Sequence, residues 1–278
     1  MFKMKAAGLS DVGRLRKNNV DSFAVEDSLL VVADGMGGAA AGEIASRIAV
    51  DTIIEKLKGI PYTSDDEVAE TVRNAVTEAD EKIKRETRLN RELDGMGTTI
   101  VLAIHFDERL LVANVGDSRA YLITNIVPGP DQSRGSGPSA VDANAQTAIL
   151  QPVSMDEQKS PGEIRRLSED HSVVMDLVRS GVITEDEIRT HPLRNRSTRC
   201  VGSFRGETAD VTWHDVNEND ILLLCSDGLW ELVHEDIIFA VANSSLPMEE
   251  LCKRLIEAAN DAGGTDNITV VAAQFVRE

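Results

Sequence analysis

The chain has 278 residues, 42% of them hydrophobic, enough to build one large folded domain with a sizeable core. Its 47 acidic residues against 29 basic ones leave a formal net charge of -18, which repels nucleic-acid phosphate and anionic membrane surfaces and argues against both as partners. Three cysteines without CxxC spacing, an N-terminus too polar for a signal peptide and the lack of a long apolar run predict free thiols and a cytoplasmic protein.

Along the chain, Ser28 to Ala33 (SLLVVA) is a short β-branched run ending on Asp34-Gly35-Met36-Gly37-Gly38, the pattern of a buried strand entering a turn. Ala41, Ile44, Ala45, Ile48 and Ala49, then Val50, Ile53, Ile54 and Leu57, recur at helical spacing and predict a broadly buried helix closed by Gly59 to Pro61. A second helix is expected from about Asp65, with Val68, Val72, Ala75, Val76, Ala79 and Ile83 on its apolar face. Two helices in succession speak against an alternating βαβ chain. Thr98 to Thr124 holds three β-type runs separated by Asp107-Glu108 and Gly116-Asp117, as in an antiparallel meander.

The segment 127–162 carries five of the eight prolines and no aromatic residue, and predicts a mobile surface insertion. Helical patterning resumes in 167–202 around Val173, Val174, Leu177, Val178, Ile183 and Ile188, and predicts a small ordered flap. Strands are expected at Val211 to Trp213, Asp220 to Ser226 and Ile268 to Phe275, with a helix between the last two burying Met248, Leu251, Cys252, Leu255 and Ala259. The expected fold is α+β: a four-layer α-β-β-α sandwich, two antiparallel sheets face to face with helices outside, forming one domain over 1–278.

Four aspartates share one local setting: Asp34 in VVADGMGG, Asp117 in VANVGDSR, Asp227 in LLCSDGL and Asp266 in GGTDNIT. Each lies beside an apolar strand and a glycine or small polar residue. Any one of them is ordinary turn chemistry. Four together point to a cleft of carboxylates, which repel unless neutralised, and oxygen-only ligands favour Mg²⁺ or Mn²⁺. A rival reading takes Gly35-Met36-Gly37-Gly38-Ala39-Ala40 as a dinucleotide turn with Glu55 as the ribose carboxylate. Against it, Asp34 puts negative charge at the pyrophosphate position and a helix follows where a strand is required. A P-loop is excluded because Glu43-Ile44 follows Gly42 where Lys and Ser/Thr are needed.

Taken in order, Arg16-x-x-Asn19-x-Asp21, Asp34-Gly35-Met36-Gly37-Gly38, Gly97-Thr98-Thr99, Gly116-Asp117-Ser118-Arg119, Ser226-Asp227-Gly228 and Gly264-Thr265-Asp266-Asn267 resemble the motif series of the protein phosphatase 2C family, bacterial branch. Glu169 to Ser172 and His191 to Asn195 look like the family's flap region. The resemblance implies a β-sandwich flanked by helices and hydrolysis of phosphoserine and phosphothreonine in proteins, substrates of a serine/threonine kinase, by a monomeric enzyme. It makes Asp34 the bridging ligand of two Mn²⁺ or Mg²⁺ ions, with the Gly35 carbonyl on one and Asp227 and Asp266 on the other. Asp117, with Asp227, matches a third, weaker site. Arg16 matches the phosphate-binding arginine, whose planar fork suits two phosphate oxygens, and Asp21 and Asn267 support the site.

Two positions depart from the family pattern. Val20 stands where a glutamate is usual, and Met36 and Ala39 stand where members often carry a histidine that protonates the leaving oxygen, so the general acid is unassigned. His171 and His191 lie in the flap region and are the nearest substitutes. Two alternatives stay open at this level: a catalytically weak pseudophosphatase that binds phosphoproteins as a regulator, and an oxidoreductase built on the glycine turn.

Overall fold

The structure is a computed structural model that describes residues 1–124, 162–203 and 206–277. In chain order it contains β1 (Phe2–Asp11), β2 (Ser22–Val25), β3 (Leu29–Ala33), β4 (Gly35–Met36), α1 (Ala39–Leu57), α2 (Asp65–Leu89), β5 (Gly97–Thr98), β6 (Ile100–Phe106), β7 (Arg109–Val115) and β8 (Arg119–Thr124). There follow β9 (Glu163–Arg166), α3 (Val173–Arg179), β10 (Asp210–Asp215), β11 (Ile221–Cys225), α4 (Asp227–Trp230), α5 (Glu235–Ala242), α6 (Met248–Asp261) and β12 (Ile268–Arg277), with 3₁₀ turns at Arg91–Leu93 and Glu185–Thr190. The insertion expected at 127–162 falls, apart from Gly162, outside the described residues.

One five-stranded sheet runs β1-β12-β11-β8-β9 and the other β10-β7-β6-β3-β2, every pairing antiparallel. The uninterrupted apolar runs follow from burial on both faces of each sheet, since alternate side chains point to opposite faces. Leu30 and Val32 of β3 join Leu222 and Leu224 of β11 in a layer between the sheets. Their neighbours Leu29 and Val31 face α1 and α2, and Leu223 and Cys225 face α6 and α4. The result is the four-layer α-β-β-α sandwich expected from the patterning.

Several strands lacked a readable signal, β2 among them, and for β1 and β9 the reason is their position. β1 pairs along its whole length with β12, from Phe2 opposite Arg277 to Asp11 opposite Ile268, yet carries Lys3, Lys5 and Gly8. β9 is Glu163-Ile164-Arg165-Arg166. Both are sheet edges, where charged side chains deter pairing with other chains and erase the apolar alternation. Antiparallel topology also removes the dinucleotide reading, which needs a parallel βαβ unit. Glu55, its ribose candidate, instead bonds Lys82 of α2 at 2.9 Å.

α2 starts on a Ser64 cap that accepts from the Glu67 amide, with Asp65, Asp66 and Glu67 in its first turn, where acidic side chains oppose the helix dipole. α1 starts on Gly38 at φ 96° with no side-chain cap. Its first turn packs backbone against backbone on the turn that follows β3: a Cβ on Gly35 would lie 2.2 Å from the Gly42 carbonyl oxygen. Glycine at that point lets α1 close over the residue after Asp34.

Candidate active site

Cys225 of β11 pairs with both Arg119 of β8 and Val270 of β12. The residues just beyond that row, Asp117 before β8, Asp227 after β11 and Asp266 before β12, therefore stand side by side along one sheet edge. From the facing sheet, β3 delivers Asp34. All four line one cleft of about 600 Å³, together with Arg16, Val20, Gly35 and Asn267.

Each aspartate is held by its own local network. The Asp34 carbonyl accepts from the Thr99 amide at 2.9 Å and the Thr98 hydroxyl at 2.8 Å, and its amide donates to Thr99 Oγ1 at 3.0 Å. These bonds cross from β3 to the start of β6 and use up the backbone groups, while the carboxyl group lines the cleft within hydrogen-bond reach of Asp21. Asp21 Oδ2 accepts from Thr269 Oγ1 at 2.6 Å and Ser226 Oγ at 2.9 Å, tying the end of the β1–β2 loop to β12. Buried Asn267 receives the Val20 amide on Oδ1 at 2.9 Å and donates Nδ2 to the carbonyls of Val12 and Asn18 at 3.0 and 2.9 Å. One amide side chain thus fixes the whole loop that carries Arg16. Asp117 Oδ2 accepts from Ser197 Oγ at 2.5 Å, and its carbonyl accepts from Trp230 Nε1 at 2.9 Å.

Burial, then the charges of Asp21, Asp227, Asp117 and Asp266, holds the Asp34 carboxyl well above the usual carboxylate range. Asp227 is raised likewise, first by burial and then by Asp117, Glu231, Asp266 and Asp21. Burial lifts Asp21 to about 6 against the hydrogen bonds from Thr269 and Ser226 that oppose it. Buried oxygens Asp21 Oδ1 and Asp227 Oδ1 have no hydrogen-bond partner. Among the described residues, no three carboxylate, imidazole or thiol groups stand close enough together to hold an ion without some movement of their side chains. Yet mutually repelling carboxylates with orphaned buried oxygens are a donor set that lacks only positive charge, and hard divalent cations fit it.

A family model for protein phosphatase 2C matches residues 7–268. The chain belongs to the protein phosphatase 2C family. It is 32% identical over 277 residues to the serine/threonine phosphatase stp of Listeria monocytogenes serovar 1/2a, covering 98% of this chain and 96% of that protein. It is similar in structure to the Mycobacterium tuberculosis serine/threonine phosphatase PstP/Ppp, with a TM-score of 0.81 and 29% identity over 99% of this chain and 100% of that one. A second structure, the catalytic domain of PstP in complex with two manganese ions, gives a TM-score of 0.78 and 28% identity with both chains fully covered.

Within this protein phosphatase 2C chain, the expected site residues Asp34, Gly35, Asp117, Asp227, Asp266 and Arg16 share the cleft, with Asn267 lining it and Asp21 behind. Arg16 is exposed at the rim and its Nη2 donates to Asp266 Oδ2 at 2.6 Å, so two residues read as having separate tasks form an ion pair. Met36 lines the cleft and Val20 contributes its backbone amide to Asn267.

No histidine lines the cleft among the described residues. His171 is buried, its Nδ1 accepting the Gly116 amide at 3.0 Å and its Nε2 lying 2.9 Å from Asp210 Oδ2. It buttresses the turn that holds Asp117. His191 Nδ1 accepts the Leu193 amide at 3.1 Å. The motif residue Arg119 is likewise structural: its guanidinium clasps buried Asp170 at 2.6 to 3.1 Å and stacks 3.6 Å from the Trp230 ring.

Two residues near the site escaped the sequence reading. Glu231, with buried Oε1 unpartnered, adds negative charge beside Asp227, and its signal was the four-residue spacing that puts both on one face of a helical turn. Ser197 bonds Asp117 across 80 residues of chain, and nothing local announces that.

Proposed function

We propose that phosphoserine and phosphothreonine side chains of proteins are hydrolysed in this cleft, where Asp34, the Gly35 carbonyl, Asp227 and Asp266 would hold two divalent cations. The chain is a metal-dependent serine/threonine protein phosphatase using manganese or magnesium. The observation that carries the site assignment is the convergence of four strand-end aspartates, two of them with strongly raised pKa values, in a cleft open to substrate. Bound there, divalent cations lower the pKa of water and offset the charge on phosphoryl oxygens. Asp117 and Asp227 hold a third, weaker ion in this reading.

The remaining work belongs to the chain itself. Arg16 leaves Asp266 to the cations and turns its fork to two phosphate oxygens, a change that costs little at an exposed ion pair. Asn267 keeps the Arg16 loop in place while that happens. Among the described residues no histidine lines the cleft, so no imidazole there is placed to protonate the leaving oxygen. Substrates are phosphoproteins made by a serine/threonine kinase, acted on by a cytosolic monomer; no described helix is long and apolar enough to cross a membrane.

The test is hydrolysis of p-nitrophenyl phosphate and a phosphothreonine peptide with Mn²⁺, Mg²⁺ or EDTA, beside calorimetric titration of Mn²⁺ into wild type and Asp227→Asn. Turnover that survives EDTA, or equal Mn²⁺ binding by both proteins, would remove the assignment.

A further inference from the structure

Resting on the phosphatase reading, the rim of the cleft carries information about which phosphorylated sequences it accepts. The protein as a whole is strongly acidic, and its long-range field repels acidic peptides. Several of its cations are paired with carboxylates: Arg47 with Glu43, Arg199 with Glu207 and Asp210, Lys82 with Glu55 and Glu78. At the cleft two exposed cations, Lys17 and Arg196, have no acidic partner among the described residues.

Their placement is specific. Lys17 follows Arg16, which pairs with Asp266; Arg196 precedes Ser197, which bonds Asp117. Asp266 and Asp117 immediately precede β12 and β8, which lie on either side of β11, the strand that Asp227 follows. Two strand spacings make about 10 Å, and an extended peptide advances about 3.3 Å per residue, so the row of aspartates spans about three residues of a bound substrate, and Lys17 and Arg196 are each the chain neighbour of a residue bonded to one end of it. A phosphoryl group over the middle of the row leaves its neighbours one to three positions away on each side beside Lys17 and Arg196.

We infer that Lys17 and Arg196 select phosphoserine and phosphothreonine sites flanked on both sides by acidic residues. Their attraction acts at contact range, where the repulsion of the whole protein is screened at physiological salt. Selectivity of this kind is a local reading of charge on a surface whose net charge opposes it.

The experiment compares phosphothreonine peptides with Glu, Gln or Lys at positions -2 and +2, assayed with Mn²⁺ at 0.15 M salt against wild type and the K17E/R196E double variant, with p-nitrophenyl phosphate as a substrate that has no flanks. Wild type is expected to show kcat/KM for the Glu peptide about five- to tenfold above the Gln peptide, from two contacts of surface ion-pair strength. The double variant is expected to bring that ratio below one and to favour the Lys peptide. A wild-type ratio near one overturns the inference. So does an equal fall on every peptide and on p-nitrophenyl phosphate in the variant, which would make the two cations holders of the phosphoryl group itself. Absence of turnover on every substrate would instead sink the phosphatase reading, and fluorescence anisotropy of the same labelled peptides then decides the inference by whether Glu flanks outbind Gln flanks.

Discussion

At the Asp266 end of the cleft, the chain is held mostly by main-chain groups and one buried amide: Gly264 O accepts the amides of Arg14 and Leu15, and Asn267 clasps Val12, Asn18 and Val20. At the Asp117 end the supports are side chains from separate segments, Ser197, Trp230 and His171. The first end is built from neighbours of β12 and shares the rigidity of the sheet. The second depends on the packing of 167–202, where Leu167, Val174, Met175 and Ile188 anchor into the core. Damage to the first is therefore local, and damage to the second propagates from residues far away in sequence.

The largest effect is expected where both ends meet. Asp34→Asn and Asp227→Asn each lower Mn²⁺-dependent turnover by at least about a hundredfold, because removing a ligand's charge weakens the cation and all it organises. In EDTA the same variants melt higher than wild type, since each removes a buried charge repelled by its neighbours. Melting curves with unchanged or lowered midpoints would show that the aspartates do not strain the metal-free fold.

Asn267→Ala separates the two ends by stability. It strips three hydrogen bonds from a buried side chain and is expected to cost about 2 to 3 kcal/mol by urea denaturation. Ser197→Ala removes one bond to Asp117 and is expected to cost about 1 kcal/mol while lowering kcat/KM a few-fold. Reversal of that order would mean that the Asp117 end is the stiffer one.

Between them in size is His171→Ala, which strands the Gly116 amide and so costs about 1 to 2 kcal/mol. Acting as a support, it should slow p-nitrophenyl phosphate and phosphoserine peptide by the same factor. A loss confined to the peptide, whose alkoxide leaving group needs a proton more, would make His171 the general acid.

The smallest effect is a pH slope. Burial leaves Asp21 with a folded pKa of about 6, above its value in the unfolded chain, so the folded state binds that proton more tightly. Its contribution is fully present below an unfolded pKa of about 4 and is lost as pH rises through about 6, so metal-free protein should melt lower at pH 7 than at pH 5. Asp21→Asn should flatten part of that slope, and an unchanged slope would remove Asp21 from the account.

Much of this molecule was legible because its signals are local. Doubly buried strands such as 29–33 and 221–225 must be apolar throughout, α2 must show a 3.6-residue stripe, and a carboxylate beside a glycine at a strand end recurs at Asp34 and Asp227. The edge strands β1 and β9 were not legible, because what makes them strands is their partner and not their composition. In the same way the text displays Arg16, Asp266, Arg119, Asp170, Asp117 and Ser197 as separate residues. Only the tertiary structure pairs Arg16 with Asp266, locks Arg119 onto Asp170, hangs Ser197 on Asp117 and turns His171 away from the cleft to brace Gly116. Sequence records the chemistry each residue carries, whereas which charges meet depends on contacts between segments 50 to 250 residues apart, set by the packing of the two sheets.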